Sequence, residues 1–222
     1  MFLAPQPVCD SLEGMSAGKI LLAVFAGFFF LAVIVALWCF GSYNGLVTLQ
    51  QATDAQWAQV QNVYQRRADL VPNLVSTVAG AANFEKSTLT AVTDARASVG
   101  RVQLPASTTP TDPAQLAAFQ QAQGQLGAAL SRLLVVSENY PTLRATENFQ
   151  ELQAQLEGTE NRIAVERGKF NDTVQQYDTA IRRFPAVIIA GIFKFTDRPY
   201  FTAAPGAETA PKVQFDFSGK NS

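Results

Sequence analysis

The stretch ILLAVFAGFFFLAVIVALWCF, residues 20–40, contains twenty-one consecutive residues without a charged side chain. At roughly 1.5 Å per residue, a helix of that length crosses a hydrocarbon core of about 30 Å. Fourteen of the residues are Leu, Ile, Val or Phe. Each favours insertion by roughly 0.3 to 0.6 kcal/mol at mid-bilayer, a gross gain on the order of 4 to 8 kcal/mol. A core helix of a water-soluble protein is usually shorter and carries a polar face. The stretch therefore predicts a single transmembrane helix, assigned with its flanks to residues 19–41.

Before the span, residues 1–18 are mixed, contain two prolines and have no apolar period, which predicts a flexible tail; Met15 is an alternative start. A cleaved secretory signal fits poorly, because the apolar region is long and no small-x-small site follows Phe40. Cys9 precedes the apolar run, whereas a lipoprotein cysteine would follow it. An uncleaved anchor is expected. Lys19 abuts the N-terminal end of the span, and the next basic residue beyond it is Arg66, too distant to steer topology. That asymmetry favours the tail in the cytoplasm and the helical domain outside it, with the reverse topology as the alternative. Trp38 and Tyr43 stand where an aromatic belt would mark the exit interface.

Composition bounds the function classes. From Gly41 onward sixteen Lys or Arg balance sixteen Asp or Glu, so there is no basic field for nucleic acid and no acidic one for cations. Histidine is absent, which removes the commonest general base and the usual zinc ligand sets. The two cysteines, Cys9 and Cys39, are separated by nearly the whole span and cannot bridge within one chain. No Gly-rich phosphate loop and no nucleophile paired with a base is present. No cofactor or metal is expected, and an enzyme is the weakest functional class.

Beyond the span a helical stripe follows, with steps of three and four: Leu46, Leu49, Thr53, Trp57, Val60, Tyr64, Ala68, Val71, Val75 and Val78. Uncharged glutamines dominate the other face. Pro72 interrupts the stripe with a missing donor, so a kink or a turn is required there. The stripe stays in phase across it, which favours the kink. Helical composition resumes around Phe84, Leu89, Val92 and Ala95 and ends at Gly100. Residues 101–113 hold three prolines and read as a linker. Asp112-Pro113 then opens a helix as N-cap and first-turn proline, with Leu116, Phe119, Gln123, Leu126, Leu130 and Leu133 on one face. It stops before Tyr140-Pro141.

The longest stripe runs through Phe149, Leu152, Leu156, Thr159, Ile163, Glu166, Phe170, Val174, Tyr177, Ile181 and Phe184, a rod of roughly 54 Å. After Phe184-Pro185 comes the compact apolar stretch FPAVIIAGIFKF, too short to cross a bilayer as a helix. Residues 203–222, rich in Ala, Pro, Gly and Ser, read as disordered. The fold class is thus all-α: one N-terminal transmembrane helix, then an elongated antiparallel bundle of three or four long helices over residues 42–202. If Pro72 only kinks its helix, three rods result and the apolar stretch lies far from the anchoring membrane. If Pro72 marks a turn, four rods result and the stretch returns to it.

Several segments, taken together, are familiar. Tyr43-Asn44-Gly45-Leu46 just after a span, QRRADLVPNL at 65–74, Asp94-Ala95-Arg96, Tyr140-Pro141-Thr142-Leu143-Arg144-Ala145, Glu160-Asn161 through Arg167 to Phe170-Asn171, and Phe184-Pro185 with Tyr200-Phe201 resemble the LemA family in order and spacing. Asn139 and Asp178 depart from the family pattern, in which alanine and asparagine are commoner. The resemblance implies a bacterial single-span protein with an elongated antiparallel helical domain, and it implies little chemistry.

Candidate contacts follow from the residues. Arg66 and Arg67, with Asp69 nearby, are candidates for a headgroup or partner site, against a solvated face in which Asp69 pairs with Arg66. Arg182 and Arg183 are a second such pair, against a helix C-terminus that favours cations by roughly 0.3 to 1 kcal/mol. Phe184, Val187, Ile188, Ile189, Ile192, Phe193 and Phe195 form a candidate apolar docking segment. Glu147, Glu151, Glu157 and Glu160 read as surface carboxylates, since a helical di-metal site would add histidine. With 16% charged residues, the helix faces offer little repulsion to neighbouring bundles. The expected function is a membrane-anchored scaffold that forms homo-oligomers and organises or shapes a bacterial membrane. Membrane lipid is its expected partner, another membrane protein is a further candidate, and nucleic acid is not expected. The alternative is a monomeric binding module regulating a membrane partner such as a protease or sensor kinase.

Overall fold

The computed structural model describes residues 17–80, 84–102 and 108–203. The two expected tails lie almost entirely outside these residues. Six helices follow one another: α1 (Ala17–Ala79), α2 (Lys86–Arg101), α3 (Pro113–Ser137), α4 (Pro141–Arg144), α5 (Glu147–Arg182) and α6 (Ala186–Ile192). No strand forms among the described residues.

Helix α1 is 63 residues long, a rod of roughly 95 Å. Its first part carries the apolar run, whose large side chains are exposed along its length. Neither Gly41 nor Gly45 breaks the helix, so the span and the first rod of the bundle are one element. Helix α5 returns antiparallel to the post-span part of α1. Helices α2 and α3 form a second antiparallel pair, with α2 against the distal half of α1.

Three core layers stack along the rod. The distal layer joins Val71, Leu74 and Val78 of α1 to Val92 of α2, Leu126, Leu130 and Leu133 of α3, Leu143 of α4, and Phe149 and Leu156 of α5. In the middle layer, Trp57 is fully buried among Phe119, Phe170 and Phe201. The proximal layer gathers Leu46, Tyr177, Ile181, Ile189 and Ala190, with Cys39, Tyr43 and Phe195 packed against it.

The stripes predict this core well. All six α3 positions are buried, and Asp112 caps α3 by accepting a hydrogen bond from the Ala114 amide at 2.9 Å. Phe184 departs from its stripe. Helix α5 ends at Arg182, and the Phe184 ring is exposed.

Pro72 sits inside the continuous α1, as the kink reading expects. Its expected consequence does not hold. Helix α1 ends at Ala79 and α2, starting at Lys86, runs back along it, so α2 is a separate descending rod and the described residues form four rods. The apolar stretch after Phe184 therefore returns to the span exit.

Proline at position 72 deprives the Ala68 carbonyl, one turn back, of its helical donor. Arg96 of α2 donates its Nε–H to that carbonyl at 3.0 Å. A side chain of one rod thus replaces the backbone bond that proline removes from another, and α2 is registered against α1 at that point. Replacing Pro72 restores the amide donor, so Pro72→Ala should stabilise the bundle by about 1 to 2 kcal/mol, less than the full interior-proline penalty because the unfolded chain gains freedom. Arg96→Ala should cost about 1 kcal/mol in the natural sequence and close to nothing in the Pro72→Ala background. Chemical unfolding of the four proteins in mild detergent measures the coupling; equal costs of Arg96→Ala in both backgrounds contradict it.

Candidate functional site

The sequence-nominated residues separate into two regions. Arg66 and Asp69 face solvent on α1, and Asp69 accepts a hydrogen bond from Gln65 at 2.7 Å instead of pairing with Arg66. Arg67 points the other way and is 4% exposed. Its Nη1 lies 2.9 Å from Glu160 of α5, and its Nη2 donates to the Gln123 carbonyl of α3 at 3.0 Å and to the Gln123 side chain. The guanidinium also stands over the Tyr64 ring, 5.2 Å from its centroid. Arg67 therefore joins three helices. The pair lies roughly 36 Å along α1 from Tyr43, too far from the span exit for the anchoring bilayer's headgroups.

Beside Arg67 a groove of about 680 Å³ opens between α3 and α5, lined by Tyr64, Gln120, Gly124, Glu160, Arg167 and Thr202 among others. Its lower rim is held by the chain beyond α6. Asn171 accepts from the Phe201 amide at 2.9 Å and donates to the Phe201 carbonyl at 3.0 Å. Arg167 covers the Phe201 ring at 4.7 Å and donates to the Thr202 carbonyl. The resemblance residues Arg167 and Asn171, one turn apart on α5, and Phe201, 30 residues beyond Asn171, thus strap residues 195–203 along α5.

Below the strap lies a buried polar chain that the sequence reading did not find. Asp54 of α1 accepts from the Thr109 amide at 2.7 Å, the Thr109 carbonyl accepts from Arg198 at 3.0 Å, and the Arg198 amide donates to Asp178 of α5 at 3.1 Å. Burial pushes the Asp178 carboxyl above the usual carboxylate range, the Arg198 amide only partly offsetting it. Asp178 replaces the asparagine that the family pattern favours, and an amide oxygen can accept the same bond.

The second region is the membrane-proximal end, where Arg182, Arg183 and the apolar segment meet the base of the span. Arg182 forms a two-pronged pair with Asp197, at 3.0 and 2.7 Å, which raises its pKa further. Arg183 is the C-cap of α5 and is exposed. Within α6, Ile189 and Ala190 face the proximal core. The exposed side chains of the segment are apolar too: Phe184, Ile192, Phe193, Ile188 and Val187 are 77%, 66%, 56%, 53% and 44% exposed. Full burial of one such side chain is worth about 1.5 to 3 kcal/mol, so their exposure together is costly in water.

The position of this segment is fixed by aromatic packing and a helix end. Tyr43, one turn past Cys39, meets the Phe193 ring at a centroid distance of 4.7 Å and the Phe195 ring at 5.9 Å. Lys194 adopts φ 58°, and the Phe195 amide closes the end of α6 onto the Ala190 carbonyl at 2.9 Å. This left-handed cap turns the chain upward into the strap. Among the described residues no group of three or more His, Cys, Asp or Glu side chains is placed to hold a metal.

The model of the LemA family matches residues 56–215. The chain belongs to the LemA family. Magnetosome protein MamQ of Magnetospirillum gryphiswaldense is 28% identical to it over 189 residues, covering 75% of this chain and 67% of that protein. Magnetosome proteins MamQ 2 and MamQ 1 of Paramagnetospirillum magneticum are each 26% identical over the same length and shares. Family membership and the one long apolar helix among the described residues together make the chain a membrane-associated protein of single-pass type.

Two substitutions test the buried polar groups. Arg67→Ala should destabilise the LemA bundle by about 2 to 4 kcal/mol, since it strips partners from Glu160 and Gln123, and Arg67→Lys should recover little because an ammonium cannot reproduce the fork; thermal melts in detergent measure both. A carboxyl whose folded pKa is raised favours the folded state below its unfolded pKa, and that contribution is lost as pH rises through the folded value. Asp178→Asn should therefore match the natural protein near pH 4 and below, and exceed its melting temperature at pH 7. A lower melting temperature at pH 7 would contradict the burial argument.

Proposed function

We propose that this LemA protein is a membrane-anchored helical scaffold that self-associates laterally and organises or shapes a bacterial membrane. The observation that carries this reading is the unbroken α1, which makes the span and the bundle a single stiff body. A domain on a flexible linker can point anywhere, whereas this one is held at the angle of its span. Neighbouring copies would present the same faces at the same height. The chain as a whole is low in charge, at 16%, and Val135 and Val165 lie exposed on α3 and α5. The relatives' names as magnetosome proteins are consistent with a role at a bacterial membrane structure.

The groove between α3 and α5 supports the second reading, a binding module acting on a membrane partner. Its arginines Arg67 and Arg167 lie beside a partly exposed Glu160, a mixed lining suited to a polar peptide segment.

Light scattering and electron microscopy on the full chain extracted in mild detergent test the scaffold. The expected result is a population of oligomers that shifts with concentration. A monomer at every concentration, together with monomeric behaviour by crosslinking in native membranes, overturns it.

A further inference from the structure

We propose that α6 and its flanks form a second membrane attachment, a short foot lying in the headgroup and upper acyl region of the same leaflet from which the span emerges. The occupant of its exposed apolar face is lipid. The inference deepens the scaffold reading by naming what the proximal end of each copy touches.

Location is the first argument. The apolar run ends at Phe40, and Cys39 belongs to the side chains packed against the cluster that holds Ile189 and Ala190. From Cys39 to Tyr43 the helix rises about 6 Å, and Tyr43 touches Phe193. A membrane that covers the span to its last turn therefore reaches α6. Trp38 and Phe40 are exposed on the helical turn that carries Cys39, which packs against the cluster holding Ile189 and Ala190.

Chemistry is the second. Residues 184–193 contain no charged or hydrogen-bonding side chain. Within and just before α6, Phe184, Val187, Ile188 and Ile192 are exposed, whereas Ile189 and Ala190 are buried against the bundle. A helix that is apolar on both faces has no side suited to water. Here the inner face is covered by the bundle, and the outer face has bilayer beside it.

The charged flanks are the third. Arg182, Arg183 and Lys194 bracket the segment and are exposed. Long basic side chains at the ends of an immersed segment reach back to the headgroups. Arg182 is held toward Asp197, leaving Arg183 and Lys194 as the cations available to lipid phosphate.

The geometry of a foot also bears on membrane shape. A seven-residue helix at the interface adds volume to one leaflet only, whereas the span adds it to both. Clustered copies would crowd that leaflet, which is a means of bending it.

Spin labels on the full chain test the foot. In a Cys9→Ser, Cys39→Ser background, single labels at Ile188→Cys and Ile192→Cys are compared with one at Gln175→Cys on the exposed face of α5, in vesicles of phosphatidylethanolamine and phosphatidylglycerol. Collision with oxygen and with a water-soluble nickel chelate is measured. Labels at 188 and 192 should favour oxygen at least tenfold relative to the 175 label. Equal access of the nickel chelate at all three positions overturns the foot. Exclusion of both reagents at 188 and 192, persisting when the protein is diluted in lipid, would also overturn it and would indicate a protein partner; loss of that exclusion on dilution would indicate a second copy of this chain. A far-ultraviolet circular dichroism spectrum of each labelled variant confirms that the bundle is intact. Because immersion of α6 is read on dilute protein, its outcome is separate from that of the oligomer measurement: monomers with an immersed foot refute the scaffold alone, and oligomers with a wet α6 refute the foot alone.

Discussion

The continuity of α1 is the constraint on which the rest of the structure depends. A helix that leaves the bilayer without a break has its axis set by the span, and each later element packs against its post-span face or against a neighbour that does. Helix α5 runs the full height of that face, from Phe149 beside the distal layer to Ile181 beside Leu46. Because α5 descends, α6 is delivered to the membrane-proximal end, before the chain turns back toward Phe201 in the middle layer. The location of α6 is thus a topological consequence of an even number of long rods.

Polar groups inside the bundle fix the registers that an apolar core alone leaves soft. Leucine and valine layers tolerate sliding by a turn at modest cost, whereas a buried arginine has few positions in which its donors are met. Arg67 specifies how α1, α3 and α5 meet. Arg96 specifies α2 against α1 through the carbonyl that Pro72 leaves open. Asp54, Asp178 and Arg198 do the same for the segment before α3 and for the strap. Several of these residues belong to the segments that resemble the family, so those segments record joints between helices.

Periodicity made the helices legible from sequence, and the joints between them much less so. The stripes on α1, α3 and α5 place most of the core, and Asp112-Pro113 marks the start of α3. The sequence reading tied a fourth rod to a turn at Pro72, the stronger local signal for a break, whereas α1 runs on to Ala79 and the separate rod is α2, which starts at Lys86. Arg67 was hard to place because a basic pair on a helix looks like surface. The hint was on α3, where Gln123 occupies a stripe position between Phe119 and Leu126; a polar residue at a core position implies a polar partner on a facing helix. The Asp54, Thr109 and Arg198 chain had no such hint, since its members lie 55 and 89 residues apart and two of them are in irregular segments.

Alignment by the membrane changes what weak lateral contacts can achieve. Two freely diffusing rods must lose rotational and translational freedom to pack side by side, a cost of several kcal/mol or more that small, low-charge faces struggle to offset. Rods set on stiff transmembrane stalks have already lost most of their tilt and all of their vertical freedom, so the same faces meet with their layers level. The cost that remains is rotation about one axis and motion in a plane. A bundle with bland sides is therefore better suited to assemble on a membrane than in solution, and any flexible joint between Phe40 and Leu46 would remove that advantage without altering a single contact in the bundle.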